Sequence, residues 1–372
     1  MNSKTWIGIL VAVIVVVGLI AMKGKKPSEV ADVNGDGVIT VGAVLPLTGP
    51  TAQFGEIYKN GIEHGLAGDP RIKVIYEDSK GEAQGATAAF QKVTSIDNAD
   101  IVISALSKPS VPLAPIAQAN KVPLLVSLVA GINMTSVEND YVYRLFWNTD
   151  MLSDLFVQRI QSQGFKKISL LQAKNEASQN VADNVLPKLK EAGIEVVYEI
   201  FQDSDTDFRT QLTKIHGAKT EAFAVLGVPA AQWKNILTQA DDIGIKLPTY
   251  DIFGVFLNPG TSESLGDLAE GVYTITTPFN LGQYKSETRT KIISELGREP
   301  GGFESYGFDT AALLRELADN NATTRESIRS YLSGLKSYEG VTAPYSIDER
   351  HNITPTPIQA RFEKGLIVQS DK

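Results

Sequence analysis

The 372-residue sequence contains no cysteine. Disulfide bridges, thiolate nucleophiles, cysteine-ligated zinc and a lipid-modified cysteine are therefore all excluded. Histidine is nearly as scarce. His64, His216 and His351 stand in unrelated parts of the chain, without metal-ligating neighbours at helical spacing. The chain also lacks the motifs of serine hydrolases, phosphate-binding loops and zinc proteases, so we expect a protein that is not an enzyme.

Basic residues are outnumbered by acidic ones. The chain has 35 lysines and arginines against 43 acidic residues, a net charge of −8 and a pI near 5.1. Such a balance, without a basic stripe interleaved with aromatic residues, argues against a nucleic-acid partner. Hydrophobic residues make up 43% and charged residues 21%, which is ordinary for a folded protein. The length exceeds what one small core needs and predicts two lobes.

Residues 6–22 lack any charged side chain. As a helix this run would be about 26 Å long, close to the thickness of a hydrocarbon core. Its length, and the absence of an A-x-A cleavage pattern after it, favour an uncleaved membrane anchor over a cleaved signal peptide. Lysines are more numerous after the run than before it. The positive-inside rule alone would therefore leave the rest of the chain in the cytoplasm.

A calcium-loop pattern follows the apolar run. Asp32, Asn34 and Asp36 have the alternate spacing of the first ligands of an EF-hand. The twelfth position, where a bidentate glutamate is needed, holds Ala43, and no helix is predicted before the loop. The segment is a weak calcium candidate, and the alternative that we favour is a turn between a polar tether and the first strand.

From residue 38 onward, β-rich runs alternate with amphipathic helical stretches, in one series over 38–146 and a second over 150–253. Repeated βαβ units predict parallel sheets with helices on both faces, and hence two doubly wound α/β lobes. The tail differs: residues 343–347, 357–363 and 366–369 are predicted to form an antiparallel meander. In open α/β sheets, ligands bind outside the carboxyl ends of the strands.

Two loops at predicted strand ends carry groups suited to a ligand. Residues 48–55 lead from the first strand into a helix, and residues 107–110 open the helix predicted over 109–120. Hydroxyl and free N–H groups at such positions attract anions such as carboxylates. Ordinary N-capping is the alternative for each loop taken alone. Two such loops together favour a binding site.

Several stretches, taken in order, resemble the leucine/isoleucine/valine-binding protein family, the solute-binding proteins of branched-chain amino acid ABC transporters. The matching segments are VITVGAVLPLTGP at 38–50, QFG at 53–55, ED at 77–78, Arg144 with NTD at 148–150, AEGV at 269–272, SYGFDTA at 305–311 and YSID at 345–348. The resemblance runs from about residue 38 to the end of the chain.

The resemblance implies the type I periplasmic-binding-protein fold, with two Rossmann-like lobes joined by three crossovers and preceded here by one N-terminal transmembrane helix. The expected divisions are an anchor and tether at 1–37, lobe one at 38–147 plus 276–341, and lobe two at 148–275 plus 342–372. A small ligand would be clamped between the lobes by hinge closure and delivered to an ABC permease, with no cofactor. The resemblance also implies an extracytoplasmic location, which we prefer to the orientation given by the lysines. A ligand-sensing receptor or regulatory module of the same fold is the alternative, although no output domain is fused.

Carried over by position, the family's ligand contacts fall on eight residues. These are Phe54, Ser107, Leu128, Ala130, Ala177, Pro229, Phe253 and Tyr306. Ser107 would bind the ligand carboxylate, Leu128 and Ala130 would present backbone groups, and Phe54 and Tyr306 would line the pocket.

Three of these positions depart from the amino-acid-binding pattern. Ala130 replaces the family's threonine, Ala177 its tyrosine and Phe253 its ammonium-binding glutamate. A buried ammonium without a compensating anion is costly. We therefore expect a carboxylic acid, amide or acylated compound with an apolar or aromatic part. The alternative is that Asp251 substitutes for the lost glutamate.

Overall fold

Two mixed β-sheets form the centres of two lobes. The structure, a computed structural model, describes residues 37–131, 134–136, 138–202, 204–226, 230–252 and 264–370. The strands of the first sheet are β1 (Ile39–Leu45), β2 (Ile72–Asp78), β3 (Ile101–Ala105), β4 (Leu124–Ser127), β5 (Val142–Leu145), β11 (Ser337–Glu339), β12 (Pro344–Ile347) and β13 (Asn352–Pro355). Their spatial order is β11-β12-β13-β5-β4-β3-β1-β2.

The second sheet repeats this plan with later residues. Its strands are β6 (Lys167–Lys174), β7 (Glu195–Gln202), β8 (Ala222–Leu226), β9 (Thr249–Asp251), β10 (Tyr273–Thr276), β14 (Ile358–Glu363) and β15 (Leu366–Gln369). Their order is β15-β14-β10-β9-β8-β6-β7, and the pairs from β7 to β10 are parallel. Central strands such as β1 are buried along their whole length, as expected for parallel strands covered on both faces.

Helices cover both sheets. They are α1 (Ala52–Leu66), α2 (Ala83–Ser95), α3 (Ser107–Ser110), α4 (Leu113–Asn120), α5 (Thr149–Ser162), α6 (Glu176–Glu191), α7 (Arg209–Gly217), α8 (Ala230–Ile243), α9 (Ser286–Leu296), α10 (Gly302–Asp319) and α11 (Arg325–Gly334). A short 3₁₀ helix at Gly266–Ala269 precedes β10. The predicted two-lobe α/β architecture is confirmed.

The chain passes between the sheets three times. It leaves the first sheet after β5, returns after β10 and leaves again after β13. We predicted that the last passage comes before residue 342, and this was wrong. β12 and β13 belong to the first sheet, where β13 pairs in parallel with β5 through Asn352 and Arg144. The predicted meander at 343–347, 357–363 and 366–369 contains no strand at Asn352–Pro355, because the polar residues 348–352 have the composition of a turn.

Helices α1 and α10 pack closely because glycines face each other across their contact. A Cβ atom added to Gly307 would lie 2.4 Å from the Tyr58 carbonyl oxygen, and one on Gly61 would lie 2.1 Å from the Glu304 carbonyl oxygen. The Tyr58 hydroxyl also meets the Thr310 hydroxyl at 2.6 Å. A side chain at either glycine would therefore force the two backbones apart.

Asp309 of α10 fixes the segment that leads into β12. Its fully buried carboxylate accepts hydrogen bonds from the backbone N–H groups of Val341 and Thr342, from the Thr342 hydroxyl and from the Tyr345 hydroxyl at 2.6 Å. Burial raises the pKa of Asp309 to about 6, although these hydrogen bonds work in the opposite direction. One carboxylate thus fixes a segment that lies against the end of the second passage, since Phe279 donates its N–H to the Thr342 carbonyl at 3.1 Å.

Within the part of the chain that the structure describes, no helix combines the length and apolarity needed to cross a membrane. The predicted anchor at residues 6–22 lies outside the described residues.

We predict that Gly307→Ala lowers the free energy of unfolding by about 2 kcal/mol, because the new methyl group collides with backbone rather than with a flexible side chain. Gly334→Ala is the matched control, since Gly334 is also helical and nothing lies within 4 Å of its added Cβ. Urea unfolding of both variants measures the difference. Equal stability of the two variants would contradict a tight contact between α1 and α10.

Candidate functional site

The carboxyl ends of five parallel strands meet along one edge of the first sheet. These strands lie side by side in the order β5-β4-β3-β1-β2. The loops that leave them therefore share this edge, which we call the lobe-one edge: residues 46–51, 79–82, 106–107, 128–131 and 146–148. Ser107, Leu128 and Ala130 lie on these loops, and Phe54 stands in the first turn of α1. The structure thus brings together four of the sequence-predicted residues.

Two leucines on adjacent loops have backbone conformations that ordinary residues rarely adopt. Leu106 has φ 70° and ψ 148°, and Leu128 has φ 58°. The Leu106 N–H donates to the Ser127 carbonyl at 3.2 Å, which ties the two loops together. Such conformations cost roughly 1–3 kcal/mol each and cluster where a ligand is bound. They mark this edge independently of sequence similarity.

Ser107 opens a helix of only one turn. The single helix predicted over 109–120 is interrupted at Val111 and Pro112, leaving α3 and α4. A one-turn helix has little macrodipole, so the anion-binding capacity rests on the partly exposed Ser107 hydroxyl and local N–H groups. Beneath it, the buried Ser104 and Ser110 hydroxyls bond to each other at 2.8 Å. The neighbouring Lys108 pairs with Glu82.

Asp78 organises the loop between β1 and α1. Its carboxylate accepts the N–H groups of Leu47 at 2.9 Å, Thr48 at 3.2 Å and Lys80 at 2.7 Å, and the Thr48 hydroxyl. Burial opposes ionisation of Asp78, but the hydrogen bonds outweigh it and hold the pKa of the carboxyl below its usual range. This acid is engaged by the protein's own backbone.

Aromatic side chains accompany the lobe-one edge. The rings of Phe54 and Phe303 meet edge to face, with their centroids 5.5 Å apart. Phe303 lies one helical turn before Tyr306 on α10. Tyr306 in turn packs against Phe146 at 4.8 Å and Trp147 at 6.3 Å. Sequence reasoning selected Phe54 and Tyr306 and missed the other three rings. The position of Phe146 and Trp147 directly after β5, and of Phe303 one turn from Tyr306, was the signal that could have found them.

Two polar atoms in this aromatic group are buried without a hydrogen-bond partner among the described residues, the Trp147 Nε1 and the Tyr306 hydroxyl. Trp147 is 3% exposed and Tyr306 6%. Burial raises the pKa of Tyr306 well above its usual range, so the hydroxyl stays protonated. Both atoms are therefore donors that an acceptor could satisfy.

The second-lobe half of the predicted site is only partly described. Pro229 and Phe253 lie outside the described residues, and Ala177 is known only by its backbone position in α6. Asp251, the alternative partner for a ligand ammonium, ends β9 and is 3% exposed. Its carboxylate accepts the Thr274 hydroxyl of the neighbouring strand at 3.0 Å.

No group of three or more histidine, aspartate or glutamate side chains within the described ranges could hold a metal ion. The weak calcium candidate formed by Asp32, Asn34 and Asp36 lies outside those ranges.

A family model described as periplasmic binding protein matches residues 38–361. The chain belongs to the periplasmic binding protein family. Its curated relatives include the Leu/Ile/Val/Thr-binding protein of Salmonella typhimurium, 25% identical over 85% of this chain and 88% of that protein. The Leu/Ile/Val-binding protein homolog 3 of Brucella melitensis is 26% identical over 49% of this chain, and the match spans about half of that protein, 52%.

Solved structures of periplasmic binding proteins have the same fold. A solute-binding protein of an ABC transporter from Rhodopseudomonas palustris BisB5, in complex with 3,4-dihydroxy benzoic acid, has a TM-score of 0.76 at 21% identity. That match covers 90% of this chain and 96% of the other. LivJ of Streptococcus pneumoniae, in complex with isoleucine, has a TM-score of 0.74 at 19% identity, covering 90% and 100%. At these identities the likeness establishes the fold alone.

We predict that Asp78→Ala and Asp78→Asn differ sharply. Alanine leaves three backbone N–H groups without their acceptor and should lower the free energy of unfolding by about 3 kcal/mol. Asparagine keeps one oxygen for these donors and its amide can donate to the Thr48 hydroxyl, so the loss should be about 1 kcal/mol. Urea unfolding measures both losses. Similar losses in the two variants would mean that Asp78 does not hold the loop through these bonds.

Proposed function

We propose that this protein is the extracytoplasmic solute-binding protein of an ABC transporter. In this proposal it closes its two lobes on a small ligand and presents the closed form to a membrane permease. Family membership and the name of the Leu/Ile/Val/Thr-binding relative support the binding of small carboxylate-bearing solutes, and the solute-binding protein of similar fold from an ABC transporter supports the link to transport. We expect binding without catalysis.

The proposed lobes follow the strand pairing. Lobe one would comprise residues 38–147 and 277–356, and lobe two residues 148–276 and 357–372. The hinge would then lie in the three passages between the sheets. Hinge closure around a ligand places the movement in a few residues at the ends of such elements.

The ligand class follows from one observation: the described acids near the proposed cleft are engaged by the protein itself. Asp78 accepts backbone N–H groups, Glu82 pairs with Lys108, and Asp251 accepts the Thr274 hydroxyl. A ligand ammonium buried there would have to compete with the partners that these carboxylates already have, most of all at Asp78, and an ammonium buried without an anion is costly. Donors and aromatic rings are present instead.

These features favour a carboxylic acid, amide or acylated compound with an apolar or aromatic part. The carboxylate would take the Ser107 hydroxyl and N–H groups of the neighbouring loops. The apolar part would lie near Phe54 and Tyr306. The complexes of similar fold with 3,4-dihydroxy benzoic acid and with isoleucine indicate that the fold accommodates both kinds of ligand.

We predict that removing the ligand's ammonium group strengthens binding. Two matched pairs isolate this group, phenylalanine with 3-phenylpropanoate and leucine with 4-methylpentanoate. The deaminated member of at least one pair should bind with micromolar affinity, about −8 kcal/mol, and its amino acid at least about tenfold more weakly. Isothermal titration calorimetry measures both.

Asp251→Asn tests the alternative. If micromolar binding of leucine or phenylalanine is found and is abolished in this variant, Asp251 compensates the ammonium and the proposed ligand class is wrong. If neither pair binds, the class is also wrong, and a thermal-shift screen of other solutes follows, because a ligand specific for the folded state raises its stability.

We further propose that residues 6–22 anchor the protein in the membrane, with the lobes on the extracytoplasmic side. The run is long enough to span the hydrocarbon core, and without cysteine the chain has no site for a lipid anchor of the thioether type. The binding function requires the lobes to meet solute outside the cytoplasm.

We predict that the protein stays in the membrane pellet after carbonate extraction, with its amino terminus intact. Externally added protease should digest the lobes in intact spheroplasts. A soluble product whose sequence begins near Lys23 would show that the segment is a cleaved signal. Protection of the lobes in spheroplasts would show the opposite orientation.

A further inference from the structure

Arg144, at the third position of β5, carries a buried positive charge beneath the lobe-one edge. The residue is 1% exposed. Burial lowers the pKa of its guanidinium to about 10, which still leaves it charged at neutral pH. Removing a charge from water costs desolvation free energy, so a buried arginine is expected to have a specific role.

The guanidinium is bound to neutral oxygens of the loop that follows β4. One Nη1 hydrogen goes to the Gly131 carbonyl, with a longer contact of 3.4 Å to the Val129 carbonyl. The intervening Ala130 carbonyl accepts the Thr149 N–H at 2.9 Å. Three consecutive carbonyls are therefore held by donors from outside the loop, and two of them by one side chain.

The far side of the guanidinium is fixed as well. Its Nε donates to the Asn352 Oδ1 at 3.0 Å, which also accepts the Thr135 hydroxyl at 2.6 Å. The Asn352 amide donates to Asp348 at 2.7 Å. Arg144 thus spans from the loop to strand β13, and a lysine, with a single nitrogen, could not reach both sides.

We propose that Arg144 is a positioning residue, which holds residues 128–131 in the conformation that meets the ligand. The inference rests on the proposed function, because Leu128 and Ala130 are ligand contacts only in that proposal. The positive φ of Leu128 supports it, since a strained backbone persists only where its surroundings over-determine it. Arg144 itself need not touch the ligand.

Arg144→Lys tests the proposal because it keeps the positive charge and removes the guanidinium, which donates to the loop and to Asn352 at the same time. Tyr143→Phe is the matched control. Tyr143 is the preceding residue of the same strand and equally buried, but its hydroxyl bonds to Asp140, Arg329 and Ser333, away from the loop. Both variants lose hydrogen bonds that are at least partly buried. Urea unfolding first establishes that both are folded at the temperature of the comparison.

Two readouts separate positioning from general stability. Calorimetry with 3-phenylpropanoate or 4-methylpentanoate, whichever binds the unmodified protein more tightly, should give a dissociation constant raised about tenfold or more in Arg144→Lys and unchanged in Tyr143→Phe. Hydrogen–deuterium exchange of the unliganded protein should be faster over residues 124–131 in Arg144→Lys alone. Unchanged affinity with unchanged exchange in that segment would overturn the proposal, and so would equal effects in the control.

The exchange readout also distinguishes this proposal from the proposed function. If neither 3-phenylpropanoate nor 4-methylpentanoate binds the unmodified protein, the ligand class fails, and exchange alone decides the role of Arg144. Faster exchange confined to residues 124–131 would still support the positioning role, and unchanged exchange over those residues would contradict it.

Discussion

The contact between α1 and α10 is the constraint on which the architecture of the first lobe depends. It joins helices that are more than two hundred residues apart in sequence, and it is possible only because Gly61 and Gly307 present no side chain where the backbones meet. A chain that has already contributed five strands, β6 to β10, to the second sheet must return to make this contact and then leave again for β14 and β15. The passages between the sheets follow from that requirement. The same contact brings Phe54 of α1 near Phe303 and Tyr306 of α10. The packing of the core and the position of the aromatic group at the lobe-one edge therefore depend on the same pair of helices.

Much of this organisation could be predicted from the sequence, because the parallel strands are continuous apolar runs and the helices have clear amphipathic spacing. What could not be predicted depends on long-range pairing. Only Tyr338 is buried in the three-residue strand β11, so its sequence has no strand pattern of its own. The positive φ of Leu106 and Leu128 is likewise invisible in a sequence, since leucine gives no signal for that conformation. The site was predicted where family positions and strand ends coincide, and its aromatic neighbours after β5 were missed because apolar residues there look like ordinary core.

Two charged side chains near the candidate site are used to hold backbone. Asp78 accepts three N–H groups of the loops after β1 and β2, and Arg144 donates to carbonyls of the loop after β4. Each satisfies groups that a loop, unlike a strand, cannot satisfy for itself. A loop held in this way can present its remaining N–H groups in a fixed arrangement, which reduces the entropy lost when a ligand binds. Loop fixation and ligand chemistry are connected here, because a carboxylate that accepts three backbone donors is a poor partner for a ligand cation.

Arg144 and Asp309 occupy corresponding positions relative to the passages between the lobes. Arg144 lies in β5, just before the first passage, and Asp309 binds residues 341–345 beside Phe279, which follows the second. Both are buried ions whose hydrogen-bond partners are neutral. Burial favours the neutral form of each, lowering the pKa of Arg144 to about 10 and raising the pKa of Asp309 to about 6.

Removing the partners of such an ion is costly, so the segments that it holds separate from it only with difficulty. Lobe one is therefore held in a fixed conformation up to the residues at which the chain passes to the second sheet. Any movement of one lobe against the other must then be absorbed by the few residues between the fixed segments and the second sheet, which is the condition for a hinge rather than a diffuse deformation.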